Sequence, residues 1–369
     1  MTTAEAAPTP SVSSKALRNK QFHTLRVAHV ERLCDDAAAV SFEIPAALKD
    51  DFDFRPGQSL TLRKAVDGHD QRRSYSICAP AGAQPRVGVR EVPGGEFSTW
   101  LVRDIRVGDE VDVQTPSGTF TADPRTGGRH VFLAAGSGIT PVLSIAASVL
   151  ANPDAHVAVF YGNRRTNSVM FAEELADLKD TYGSRLELVH VLSREPRGVD
   201  LFTGRLDGDR VRVLLQTLVP VDQVDHFWLC GPFGMVTEAQ RVLGELGVAE
   251  DRVHQELFYV EDVPPEPVHH TESAATGPTS EVTVILDGRS STLELSRTKP
   301  VLDSAQESRD DLPFACKGGV CGTCRAKVTA GAVDMRRNYA LEKGEVAAGF
   351  VLTCQSYPTS DTVTVDYDA

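Results

Sequence analysis

The sequence predicts a multidomain α/β plus β protein: an antiparallel β-barrel, a parallel α/β domain, and a smaller β-rich domain at the C-terminus. Three observations carry that expectation. The chain has 369 residues, more than one core usually organises. Short β-like runs separated by turns fill the region before residue 130, and strand-like and helix-like runs alternate after it. The stretch 261–280, EDVPPEPVHHTESAATGPTS, has the Pro-, Ser- and Thr-rich composition of an exposed linker.

Residues 1–19 are rich in Ala, Thr, Ser and Pro without an apolar h-region, so a disordered lead-in is expected rather than a signal peptide. Residues 20–127 contain β-like runs at 23–30, 39–44, 59–63, 86–92 and 110–114. Pro56-Gly57, Gly94-Gly95 and Ser117-Gly118 punctuate them, as in a small barrel. Over 128–260, strands are expected at 130–135, 156–161, 186–192 and 226–230, with helices at 141–150, 171–182, 208–218 and 235–246. The linker holds His269-His270, read as a solvated pair rather than metal ligands. Residues 281–369 open with a hairpin, 281–286 and 291–295.

The formal net charge of -13 argues against nucleic acid and against an anionic membrane surface as partners. No apolar run reaches the roughly 20 residues that span a bilayer. Of seven cysteines, four crowd into 316–354 while Cys34, Cys78 and Cys230 are scattered. That pattern points to metal ligation in a reducing cytoplasm, not to a disulfide framework.

Cys316, Cys321 and Cys324 form C-x4-C-x2-C, and Cys354 stands 30 positions beyond Cys324. Four soft thiolates at this spacing suit a plant-type [2Fe-2S] cluster. Gly318, Gly319 and Gly322 let the loop wrap closely and leave N–H groups for the sulfurs. A structural zinc site is the rival, but such sites usually pair two knuckles, whereas here one loop carries three cysteines.

Two further pairs of motifs lie upstream. Arg73-Ser74-Tyr75-Ser76 follows a probable strand, and Gly94-Gly95-Glu96-Phe97-Ser98-Thr99 opens a helix. Gly136-Ser137-Gly138-Ile139-Thr140-Pro141 sits at a strand-to-helix turn, where backbone can approach a pyrophosphate, and Cys230-Gly231-Pro232 ends a later strand. Taken together they resemble the ferredoxin–NADP reductase superfamily. The resemblance implies a flavin-binding barrel, a nicotinamide-binding domain and a β-grasp ferredoxin domain.

On that resemblance Arg73 binds the flavin pyrophosphate, Tyr75 stacks on the flavin and Ser76 bonds near its N5. Gly95, Ser98 and Thr99 belong to the phosphate-facing turn. Gly136, Gly138, Thr140 and Gly231 cradle the nicotinamide nucleotide, and Cys230 sits beside the reacting carbon. Ser193 and Arg194, helped by Arg164 and by Arg165, suit a 2′-phosphate, which favours NADPH. Phe258 is expected to cover the flavin and Glu256 to join a proton network; FAD rather than FMN is implied by the resemblance alone.

The segments around Cys316–Cys324, Asn338–Leu341, Cys354–Pro358 and Asn163–Leu175 are also similar to the reductase subunits of bacterial phenylacetyl-CoA epoxidases. That similarity implies a di-iron oxygenase as the electron acceptor. Reductases of steroid or aromatic-ring hydroxylases share the architecture. A redox-sensing protein without turnover is the reading from another class.

Overall fold

The computed structural model describes residues 22–66, 69–259, 268–269, 277–309, 311–314, 316–341 and 343–369. The expected disordered N-terminus and most of the expected linker lie outside the described residues.

β1 (Phe22–Cys34), β2 (Ala37–Glu43), β3 (Ser59–Val66), β4 (His69–Ser76), β5 (Arg86–Arg90) and β6 (Glu110–Gln114) form a sheet ordered β4-β3-β6-β1-β2-β5. A bridge between Ile77 and Val87 joins the ends of the two edge strands, so the sheet curls into a barrel. Alternate inward residues such as Leu25, Val27, Leu60 and Leu62 fill it. Short helix α1 (Glu96–Thr99) continues into a π-helical turn, Trp100–Asp104.

β7 (Gly128–Ala135), β8 (Ala155–Asn163), β9 (Leu186–Leu192), β10 (His226–Pro232) and β11 (Val253–Tyr259) form a parallel sheet ordered β11-β10-β7-β8-β9. Helices α2 (Ile139–Leu150), α3 (Ala172–Tyr182), α4 (Gly208–Leu218) and α5 (Phe233–Glu245) connect or flank these strands. The order reverses between β7 and β10, and the crevice at the carboxyl ends of such strands is where ligands bind.

Within α2 every residue except Ala147 is buried, because the helix fills the seam between sheet and barrel. Its Ser144 and Ser148 bond across that seam: Ser144 Oγ donates to Ala79 O at 2.6 Å, and Ser148 Oγ accepts from Ala81 N at 2.9 Å. Ala37, Ala39, Cys78 and Phe120 of the barrel therefore pack into one cluster with α2 and the parallel sheet, while the barrel interior keeps its own.

β12 (Val268–His269) pairs with β16 (Val333–Met335). The C-terminal sheet runs β14-β13-β19-β15-β17, built from β13 (Thr279–Leu286), β14 (Arg289–Ser296), β15 (Arg325–Ala330), β17 (Phe350–Leu352) and β19 (Thr362–Asp366). Its last strand runs parallel to its first, with the cysteine loop between the hairpin and β15, the β-grasp arrangement. Thr279 and Ser280, assigned by composition to the linker, already belong to β13. Among the described residues, no helix is long and apolar enough to cross a membrane.

Candidate active site

None of the seven cysteines is in a disulfide. The loop carrying Cys316 folds back so that the N–H groups of Gly318, Val320 and Cys321 point at Cys316 Sγ from 3.3, 3.4 and 3.4 Å. Cys321 donates to Cys316, which with those N–H groups draws the Cys316 thiol below its ordinary range, and Cys324 likewise lowers Cys354. The cysteines thus stand as two close pairs. Among the described residues no three His, Cys, Asp or Glu side chains converge as one metal ion requires. Two thiol pairs with N–H donors around them are what two bridged irons need, and the residues fit that cluster.

A cavity of about 480 Å³ opens beside this loop, and Tyr75, Ser76, Glu256 and Phe258 line it together with Cys316 and Cys321. Tyr75 lies stacked on Phe97, with ring centroids 6.3 Å apart and planes at 21°. Ser76 Oγ donates to Glu256 Oε2 at 3.1 Å. Burial pushes the Glu256 carboxyl up to about 7, against the lowering effect of the Ser76 bond. A flat aromatic wall, a hydroxyl and a carboxyl poised between its two protonation states fit a flavin ring.

Parallel pairing of β10 with β11 sets Cys230 opposite Glu256. Cys230 is fully buried and lines neither this cavity nor the next, and burial, then the Glu256 charge, raises its thiol well above the usual range. The turn after β7 presses on it: a Cβ on Gly138 would stand 2.1 Å from Cys230 O. Gly136 takes a φ of +56°, which a side chain disfavours.

This turn separates two spaces. Ser137 faces the first cavity, while Gly136 lines a second of about 700 Å³ with Arg90, Arg164, Ser193, Arg205 and Phe233. Thr166 N and Oγ1 donate to Glu195 at 2.8 and 2.7 Å, pinning the loops after β8 and β9 together.

The expected residues divide by position. Arg73, Tyr75, Ser76, Gly95, Ser98, Glu256 and Phe258 line the first cavity; Gly136, Arg164 and Ser193 line the second. Arg73-Ser74-Tyr75-Ser76 lies within β4 itself rather than after a strand, because β4 extends the ladder with β3 as far as Ser76. Ser98 Oγ accepts from Val92 N at 3.0 Å and donates to Gly95 O at 3.0 Å, so it ties its own turn together.

Thr99 donates to Glu91, and buried Thr140 donates to Ser137 O at 2.9 Å, capping the turn from behind. Gly231 packs against Ala135. Arg194 lies in an adjoining hollow of about 240 Å³ with Arg164 and Arg165. Sequence reading passed over Arg90, which lines both cavities, and Arg205. Each is a single arginine outside any spaced motif, so only the fold brings it in.

Three family models cover most of the chain: an oxidoreductase FAD-binding domain at residues 24–122, an oxidoreductase NAD-binding domain at 132–241 and a 2Fe-2S iron-sulfur cluster binding domain at 284–359. The chain is 40% identical over 353 residues to one of the subunits of 1,2-phenylacetyl-CoA epoxidase from Escherichia coli (strain K12), covering 94% of this chain and 98% of that one. The chain belongs to the ferredoxin–NADP reductase superfamily. Another member, the ferredoxin reductase component of 3-ketosteroid-9-alpha-monooxygenase from Rhodococcus rhodochrous, is 32% identical over 93% of this chain and 96% of its own.

The solved phthalate dioxygenase reductase superposes with a TM-score of 0.59 at 22% identity, over 94% of this chain and 98% of its own, and shares the modular fold. As a superfamily member this chain is an NAD(P)H-dependent oxidoreductase with FAD, a pyridine nucleotide and a [2Fe-2S] centre. It acts as the electron-transfer reductase component of an oxygenase.

Proposed function

We propose that the chain draws electrons from NADPH and delivers them to the di-iron component of a phenylacetyl-CoA epoxidase, in the cytoplasm and away from any membrane. The observation that carries this reading is the shared cavity: Cys316 and Cys321 line the same space as Tyr75, Ser76 and Glu256. When bound, FAD takes two electrons together as hydride and releases them singly to a one-electron iron–sulfur acceptor.

The chain's own residues prepare that exchange. Tyr75 gives the ring a flat support, and Arg73 with the Gly95 turn faces the phosphates. Ser76 passes a hydrogen bond to Glu256, whose carboxyl near 7 can give or take a proton at neutral pH. Gly136 and Gly138 let backbone approach the nucleotide pyrophosphate. Arg164, Ser193 and Arg194 suit a 2′-phosphate better than a bare ribose, where an acid would more often stand. Cys316, Cys321, Cys324 and Cys354 hold the cluster. The similarity to the Escherichia coli protein supports the epoxidase partner.

The test begins with the purified protein: a flavin and iron–sulfur absorption spectrum, FAD on release, and two irons per chain. Cytochrome c should be reduced faster with NADPH than with NADH. NADPH oxidation should couple to phenylacetyl-CoA only when the epoxidase component is present. Coupling instead to a steroid hydroxylase would favour the second reading, which the Rhodococcus similarity supports; colourless protein would sink both.

A further inference from the structure

We propose that Arg72 is an interdomain latch that holds the C-terminal domain against the barrel, with the cysteine loop turned towards the cavity of Tyr75, Ser76 and Glu256. Arg72 stands on β4 immediately before Arg73, yet it is only 3% exposed. Arginine is seldom buried so fully, because stripping water from a cation is costly unless the surroundings replace it.

Here part of the replacement comes from the far end of the chain. Arg72 Nη1 donates to the backbone oxygen of Leu312 at 3.1 Å, across 240 residues. Its guanidinium lies 4.7 Å from the ring centroid of Phe314 and 5.2 Å from that of Phe22. Phe314 precedes the cluster ligand Cys316 by two positions, so the segment that covers Arg72 is the one that leads into the cluster loop.

A charge-assisted hydrogen bond and a ring face both strengthen when water is excluded, as they are here. Undocking would return the guanidinium to water, whose hydration offsets much of what the contacts contribute. The latch is therefore suited to closing and reopening. Phe233 and Tyr339 meet edge-to-face at 5.4 Å elsewhere on the seam and fix the orientation of the closed form. The inference rests on the proposed function only for the identity of the two cofactors that the seam brings together.

The test compares full-length holoprotein with Arg72→Ala and Arg72→Lys by hydrogen exchange of the amides in 311–321 and by solution scattering. Arg72→Ala should raise exchange there about tenfold and enlarge the radius of gyration. Arg72→Lys, which keeps the charge but not the planar fork, should fall between. Flavin reduction by NADPH should be unchanged, while the one-electron transfer from reduced flavin to oxidised cluster slows about tenfold. Unchanged exchange in Arg72→Ala overturns the latch, as does flavin reduction slowed as much as cluster reduction. Should Arg72→Ala not fold, Phe314→Leu is read in the same way, and unchanged exchange there overturns the latch as well. Wild-type protein lacking flavin or iron would overturn the cofactor reading, yet leave the exchange comparison readable.

Discussion

Glu256 concentrates the residue-scale chemistry, because it is a carboxyl enclosed between domains with one hydroxyl donor, Ser76. Its folded value of about 7 stands above its ordinary 4.5. Between those values the folded chain binds a proton that the unfolded chain has lost, so this group's contribution to stability is full below pH 4.5 and disappears as pH rises through 7. Urea denaturation of wild type and Glu256→Gln, compared at pH 5 and pH 8, should show wild type losing about 2–3 kcal/mol more across that window. Equal losses would mean the carboxyl ionises normally. The second residue-scale prediction concerns coenzyme choice. Arg164→Ala and Arg194→Ala should each raise KM for NADPH about tenfold and leave KM for NADH nearly unchanged, the effect of one hydrogen bond to a charged phosphate. A parallel rise for both coenzymes would remove these arginines from the 2′-phosphate site.

At the scale of elements, the turn from β7 into α2 decides whether the sites can form. Gly138 has Cys230 O where a Cβ would stand, at 2.1 Å, so backbone meets backbone with nothing flexible to yield. Gly138→Ala should therefore lower Tm by roughly 5–10 °C and weaken nucleotide binding, read by differential scanning calorimetry and a binding titration. An unchanged Tm would mean that β7 and β10 can move apart at little cost. The same turn tests what sequence alone can say. Glycines between a strand and an apolar helix reveal a phosphate-approaching turn, since the spacing is local. The bond from Thr140 to Ser137 O is equally local, but that the Thr140 methyl is buried against Gly88 of the barrel depends on which side of α2 the barrel covers, and no local pattern carries that. β11 shows the same limit: His254-Gln255-Glu256-Leu257-Phe258 alternates too weakly to read as a strand, and pairing with β10 makes it one.

At the scale of the whole molecule, one cavity is shared by residues from three regions of the chain: Tyr75 from the barrel, Glu256 from the parallel domain and Cys321 from the C-terminal domain. On the proposed function, a cluster loaded from this cavity has to turn outward to meet an oxygenase. Cysteines introduced as Phe233→Cys and Tyr339→Cys and joined by a short bis-maleimide should hold the seam closed. Because Phe233 lines the nucleotide cavity, the bridged protein is read against the unbridged double variant: reduction of the cluster by NADPH should be equal in the two, while turnover with the oxygenase falls at least about tenfold on bridging. Full turnover in the bridged protein would end the idea that the domain must move. The sequence by itself determined the C-x4-C-x2-C run of Cys316, Cys321 and Cys324 and the glycine turns at 94–95 and 136–138, because each depends on spacing over a few residues of local chain. Only the tertiary structure decided that Arg90 borders both cavities, that Cys230 stands opposite Glu256, and that Arg72 is covered by the approach to Cys316. Those are contacts between distant segments, and they exist only once α2 and the cysteine loop have closed their seams.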